Sequence, residues 1–176
     1  MSSRETVLDS LKDLEGGLPA PFAVPPVNGD LIAAFTNSVE GLGAEMVTAD
    51  HLAELKGKLV FADADVPSRW LSGLEPTESV WDAEVGVTLA DFGIAETGSL
   101  VLSAGPGRHR LASLAPPLHV AVLSRKNILS NLEAAFSCLG ARTSVVITGP
   151  SRTADIEGVL VRGIHGPGRV WVLLAE

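Results

Sequence analysis

Short runs that are apolar at almost every position constrain this chain most. "KLVFAD", "PPLHVAVLS", "TSVVITG" and "RVWVLLA" are each interrupted within a few residues by glycine, proline or polar residues. They are read as strands, and "KLVFAD" is an apolar run of the buried type found in parallel sheets. Two more strands read over Val85–Ala90 and Ser99–Ser103, around a glycine-bearing bend, and "AEMVT" is a further short one. Helical patterns alternate with these strands. The chain therefore predicts an α/β fold with a parallel-rich central sheet flanked by helices.

The helices are read from their punctuation. Asp30 is an N-cap for a helix running to about Val39 and closed by Gly41 or Gly43. "TADHLAELKG" carries Asp50 near its cap and Gly57 at its end, and "VPSRWLSGL" is a short helix or turn. "KNILSNLEAAFSCLG" predicts one helix with Ile128, Leu129, Leu132, Ala135 and Phe136 on a single face. Arg4–Leu14 has helical spacing at Val7, Leu8, Leu11 and Leu14, and a proline-rich lead-in, "LPAPFAVPPVNG", follows. Residues 1–28 are thus expected to be an N-terminal helix and lead-in, and 29–176 a single α/β domain.

Charge and cysteine content narrow the function classes. Acidic residues outnumber basic ones, 21 to 13, for a net charge of −8, and no Lys/Arg block occurs. That argues against nucleic-acid binding, which needs a basic footprint for phosphates. The single cysteine, Cys138, cannot by itself hold an iron–sulfur cluster or structural zinc, and it reads as a core residue on a helix face. The first residues lack an apolar signal core, and no run approaches the roughly 18 residues of a membrane span, so the chain reads as cytoplasmic.

Three polar, glycine-bearing turns follow strands, where ligands gather in open parallel sheets: "ADFGIAETGS", "SAGPGRHR" and "ITGPSRTADIE". In the first, Glu96 with Thr97 and Gly98 is either a working carboxylate or a solvated turn. In the last, Gly149, Ser151, Arg152 and Thr153 offer amides, hydroxyls and a guanidinium suited to a carboxylate or phosphate. The alternative there is that Arg152 pairs with Asp155 or Glu157 to pin the loop. Arg108, His109 and Arg110 read first as a solvated loop, and otherwise as an attractor for an anion. His165, before Gly166-Pro167-Gly168, can move protons, whereas His119 lies in strand alternation and reads as a hydrogen-bonded structural residue. The four histidines, His51, His109, His119 and His165, lack metal-ligand spacing.

Taken together, "ADFGIAETGSLVL", "RLASLAPPLHVAVL" and "ITGPSRTADIEGVLVRGIHGPGRVWVLL" resemble the lactate-utilisation (LUD) domain family, from about Glu84 to Leu174. The resemblance implies a fold like that of sugar-phosphate isomerases and CoA-transferases. It implies a part in a multi-component system oxidising L-lactate to pyruvate. This chain would be the cluster-free subunit, with no cofactor of its own and iron–sulfur clusters in partner subunits. It also places the family's motif on Glu96, Thr97 and Gly98, on Gly149, Ser151, Arg152, Thr153, Asp155 and Glu157, and on His165 and Gly166. The expected site lies between the Glu96 turn and the Ser151–Asp155 loop. Arg152 would hold a small carboxylate there, and Glu96 or His165 would serve as the catalytic acid–base group. Two alternatives are a non-catalytic assembly subunit for iron–sulfur partners and a stand-alone isomerase or transferase acting on a small anionic substrate.

Overall fold

The computed structural model describes residues 27, 29–139, 142–154 and 160–176. The expected helix over Arg4–Leu14, most of the proline-rich lead-in, and Asp155 and Glu157 lie outside the described residues. The first described helix, α1 (Leu31–Gly41), starts where Asp30 Oδ1 accepts hydrogen bonds from the Ile32 and Ala33 amides, at 2.9 and 3.1 Å. These are two of the amides that a helix start leaves without internal partners.

Six strands form the central sheet, in the order β1 (Glu45–Val47), β12 (Arg169–Ala175), β7 (Leu118–Ser124), β4 (Val85–Ala90), β2 (Leu59–Ala62) and β3 (Glu75–Pro76). Every neighbouring pair is parallel. Side chains leave the sheet alternately. Val85, Val87, Val120, Val122, Trp171 and Leu173 enter one core layer, with Leu52 of α2 (Ala49–Leu52) and Leu55 from the 3-10 turn after it. Ala90, Ala121, Leu123, Val170 and Val172 enter the opposite layer with Phe35 and Val39 of α1. The apolar character of both strand faces is thereby accounted for.

A second, four-stranded sheet closes that opposite layer, in the order β8 (Ile128–Leu129), β5 (Phe92–Ile94), β6 (Ser99–Ser103) and β9 (Ser144–Ile147). Leu100 and Leu102 of β6 face the central sheet, while Ile94 and Val101 face outward onto Ala135 of α3 (Leu132–Cys138). A small hairpin, β10 (Arg152–Ala154) with β11 (Leu160–Arg162), leads into β12.

Three expectations are corrected. The stretch from Lys126 to Gly140 is not one helix. Ile128 and Leu129 form an edge strand parallel to β5, and the helix starts only after Asn131, whose Oδ1 accepts from the Ala134 amide at 2.9 Å. Edge pairing overrides the helical spacing, and it leaves Leu132 and Phe136 exposed rather than on a buried face. Cys138 is exposed at the end of α3, not in the core. The "GPGRHR" loop is not simply solvated. Arg108 folds inward, its Nη1 donating to Asp91 Oδ1 at 2.7 Å and its Nη2 to the Leu89 carbonyl at 2.6 Å, with Nε 2.9 Å from Asp65 Oδ2.

The inner face of the β4–β7 pair carries polar groups. His119 is fully buried, its Nε2 2.8 Å from Thr88 Oγ1, as a hydrogen-bonded structural histidine. Opposite it in register stands Gly86. A β-carbon at Gly86 would lie 1.8 Å from the Ala112 carbonyl oxygen, so only glycine lets the Arg110–Ser113 turn settle on the sheet. Gly86→Ala is expected to cost about 3 kcal/mol or more, because the obstacle is backbone and cannot swing away; chemical denaturation checks it.

Burial lowers the pKa of His119 to about 4. Burial also pushes the Asp63 carboxyl up to about 6, against the pull of the His109 amide that donates to it at 2.9 Å. The two groups give opposite pH slopes. Asp63 holds its proton more tightly when folded, so its contribution falls as pH rises from about 4 to about 6. His119 holds its proton less tightly when folded, so its contribution falls as pH drops from 6.5 to about 4. Asp63→Asn keeps an acceptor for His109 and removes one slope. The variant is expected to be more stable than wild type at pH 7, by roughly 1–2 kcal/mol. It should lose that advantage as pH falls to 4, a trend measured by urea unfolding across this range.

Candidate functional site

The segment between β9 and β12 builds a cleft from backbone outward. Gly149 has φ +79, the left-handed conformation that turns the chain after Thr148. The same glycine brings the turn against Leu42, whose Cβ would lie 3.0 Å from an added β-carbon. The Ser151 amide donates to the Pro167 carbonyl at 2.9 Å, and the Gly163 amide to the Ser151 carbonyl at 3.0 Å. These bonds lace the loop carrying His165 to the loop carrying Ser151. Gly166 lies close to Ser151 as well, for an added β-carbon there would meet Ser151 Cβ at 3.3 Å.

The result is a cleft of about 470 Å³ in which Gly149, Ser151, Arg152, His165 and Gly166 meet, with Ser113 and Thr148 also in the wall. It adjoins the amino ends of the central strands, since Leu42 precedes β1 and Pro167 precedes β12. Arg152 is exposed, and its Nη2 donates to the Leu42 carbonyl. Directly opposite it in the hairpin register stands Arg162. A β-carbon at Gly43 would lie 2.6 Å from Arg152 Nη2 and 3.6 Å from Arg162 Nη2, so both guanidinium groups converge on one point. Like charges placed opposite each other across a strand pair repel. An anion between them relieves that repulsion and can be held by charge-assisted hydrogen bonds.

The Glu96 turn is placed differently. Glu96 is half-buried, with its amide donating to the Ser130 carbonyl at 3.1 Å, and it is not part of the cleft wall. Gly98 has φ +66 and sits so close to α1 that a β-carbon would lie 2.6 Å from Ser38 C and Val39 N. Here glycine permits both the turn and the helix contact. Ser38 Oγ donates to the Ala95 carbonyl at 2.9 Å, fixing the same turn to the helix. Thr97 nonetheless reaches the cleft through hydroxyls. Its Oγ1 is 2.7 Å from Ser99 Oγ, which is 2.8 Å from Thr148 Oγ1 in the cleft wall. Thr153 lies on β10 opposite Val161, outside the wall.

Sequence reasoning missed Arg162, Ser99, Thr148 and Ser113. A hydroxyl within an apolar strand is the signal that flags Ser99, since buried polar groups need partners. Arg162 carries no such signal, because the hairpin register that sets it opposite Arg152 is a tertiary fact. Among the described residues no three His, Cys, Asp or Glu side chains are grouped to hold a metal ion, and no helix is long and apolar enough to cross a membrane.

Comparison with known proteins places this architecture. The chain is 32% identical over 108 residues to Lactate utilization protein C from Halalkalibacterium halodurans, covering 56% of this chain and 47% of that protein. It is 36% identical over 113 residues to Lactate utilization protein C from Macrococcus caseolyticus, covering 59% and 49%. The chain spans about half the length of the curated relatives it matches. The crystal structure of a DUF162 family protein from Deinococcus radiodurans shares the fold, with TM-score 0.65 and 19% identity, covering 86% of this chain and all of that one. The model of the LUD domain matches residues 61–175, a span that holds the whole Gly149–His165 cleft loop and most of the central sheet; the chain belongs to the LUD domain family.

Proposed function

We propose that this chain serves lactate utilisation as a cluster-free subunit that binds a small carboxylate in the Gly149–His165 cleft. The observation that carries this reading is the convergence of Arg152 and Arg162 beside that cleft, in a chain of net charge −8. Two guanidinium forks match the planar geometry of a carboxylate, and Arg152 has five N–H donors, of which the Leu42 bond takes one. Ser151 and Thr148 add hydroxyls for the substrate's own oxygen, and His165 stands at the rim as a group able to exchange a proton. Glu96 stands outside the cleft wall, which leaves His165 as the acid–base group of this reading. The relatives named Lactate utilization protein C support this pathway, and iron–sulfur partner subunits would carry the electrons. Isothermal titration of the chain with lactate and with pyruvate tests the reading. Saturable binding is expected, weakened by roughly tenfold or more in Arg152→Ala. Absence of binding by both acids removes the substrate site from this subunit.

A specific surface favours an assembly role alongside it. Trp81 is 75% exposed and Ile164 58%, and with Leu111 and Leu114 they line an apolar depression that meets the cleft at His165. Exposed aromatic side chains of this kind anchor protein interfaces. Trp81→Ala is expected to weaken co-purification with iron–sulfur partner subunits while leaving the thermal midpoint unchanged. Retention of full co-purification would discard the docking role of this face.

A further inference from the structure

The central sheet has a second concavity, at its opposite end. β4 finishes at Ala90 and β7 at Ser124, and between these carboxyl ends and α3 lies another cleft of about 470 Å³. This is the end of a parallel sheet at which ligands are generally bound. The volume falls in the range of about 300–1,000 Å³ typical of small-molecule sites.

Its chemistry is lopsided. Asp91 is the carboxylate in the wall, and both of its oxygens are engaged, Oδ1 by Arg108 Nη1 at 2.7 Å and Oδ2 by the Ser103 amide at 2.5 Å. Arg108 is engaged as well, by Asp91, Asp65 and the Leu89 carbonyl, so it stiffens the wall rather than offering charge. What is left to face a ligand is a set of donors. Ser124 Oγ is buried and has no hydrogen-bond partner among the described residues. Asn127 and the exposed guanidinium of Arg142 stand in the wall with it. A buried hydroxyl without a partner in a cleft wall points to a missing acceptor. Leu89, Phe92 and Leu139 supply an apolar surface beside these donors.

We propose that this cleft is a second binding site, taking an organic anion with an apolar, ring-sized body. The anionic head rests on Arg142, an oxygen accepts from Ser124 or Asn127, and the body packs on Leu89, Phe92 and Leu139. The site is separate from the Gly149–His165 cleft and shares no wall residue with it.

Cys138, the chain's single cysteine, is exposed and in the wall of this cleft, so its alkylation reports on the cleft alone. The rate of alkylation of the full chain by iodoacetamide, an uncharged reagent, is measured against increasing phenyl phosphate, benzoate and benzyl alcohol. Either anion is expected to slow alkylation saturably, and the better of the two identifies the head group as phosphate or carboxylate. Benzyl alcohol is expected to give no saturable protection. Arg142→Ala, at an exposed position, should raise the half-protecting concentration roughly tenfold, and Ser124→Ala should raise it by a smaller factor. The proposal is overturned if neither anion protects, if benzyl alcohol protects as well as the anions, or if Arg142→Ala is protected like the wild type. Circular dichroism of both variants separates loss of binding from loss of fold.

Discussion

β7 has no face to give to water, and the rest of the molecule is arranged around that fact. It pairs with β12 on one side and β4 on the other, both in parallel. Val120 and Val122 demand cover on one face, and Ala121 and Leu123 on the other. Parallel strands cannot be joined by tight turns, so the connections must travel back across the sheet, and they become the covering layers. One layer is α2 with the segment through Val66 and Trp70; the other is α1 with the four-stranded sheet. Where the inner face turns polar, at Thr88 and His119, Thr88 Oγ1 partners His119 Nε2, and Gly86 makes room for the backbone that roofs them. The hydrophobic requirement and the polar exception are thus met by the same strand pair.

Both clefts follow from how the connections leave this sheet. At the amino ends, the hairpin and loop before β12 fold over Leu42 and gather Arg152, Arg162 and His165. At the carboxyl ends, the chain after β4 turns into the second sheet, and Arg108 ties that departure to Asp91, Asp65 and the Leu89 carbonyl. Arg108 is a structural clamp in a loop that the sequence reads as solvated charge or an attractor for an anion. Its low exposure, 16% of the side chain, makes the ion pairs more than surface decoration. Partly desolvated arginine–carboxylate contacts are stronger than exposed pairs, which contribute little.

The family motifs acquire different physical meanings once placed. Gly149, Ser151, Arg152, His165 and Gly166 share a cleft wall. Gly98 has a packing role against α1, and Thr97 communicates with the wall through two hydroxyls. A motif that reads as one signature in sequence therefore combines residues facing the cleft with residues that position the backbone behind it.

The sequence alone determined the strands Val85–Ala90 and Ser99–Ser103, the parallel α/β class, the Asp30 cap and the cluster of candidate residues after Ile147. All of these rest on local physics: side-chain periodicity, capping chemistry and the turn preference of glycine. Tertiary structure decided what local physics leaves degenerate. Ile128 and Leu129 became an edge strand because β5 offered free backbone groups, at the expense of the helix their spacing allowed. Arg108 turned inward because Asp91 and Asp65, distant in sequence, converge on it. Arg162 faces Arg152 through a hairpin register that neither residue encodes alone. Pairing register and long-range charge contacts depend on which segments meet, and that is fixed only when the whole core is buried.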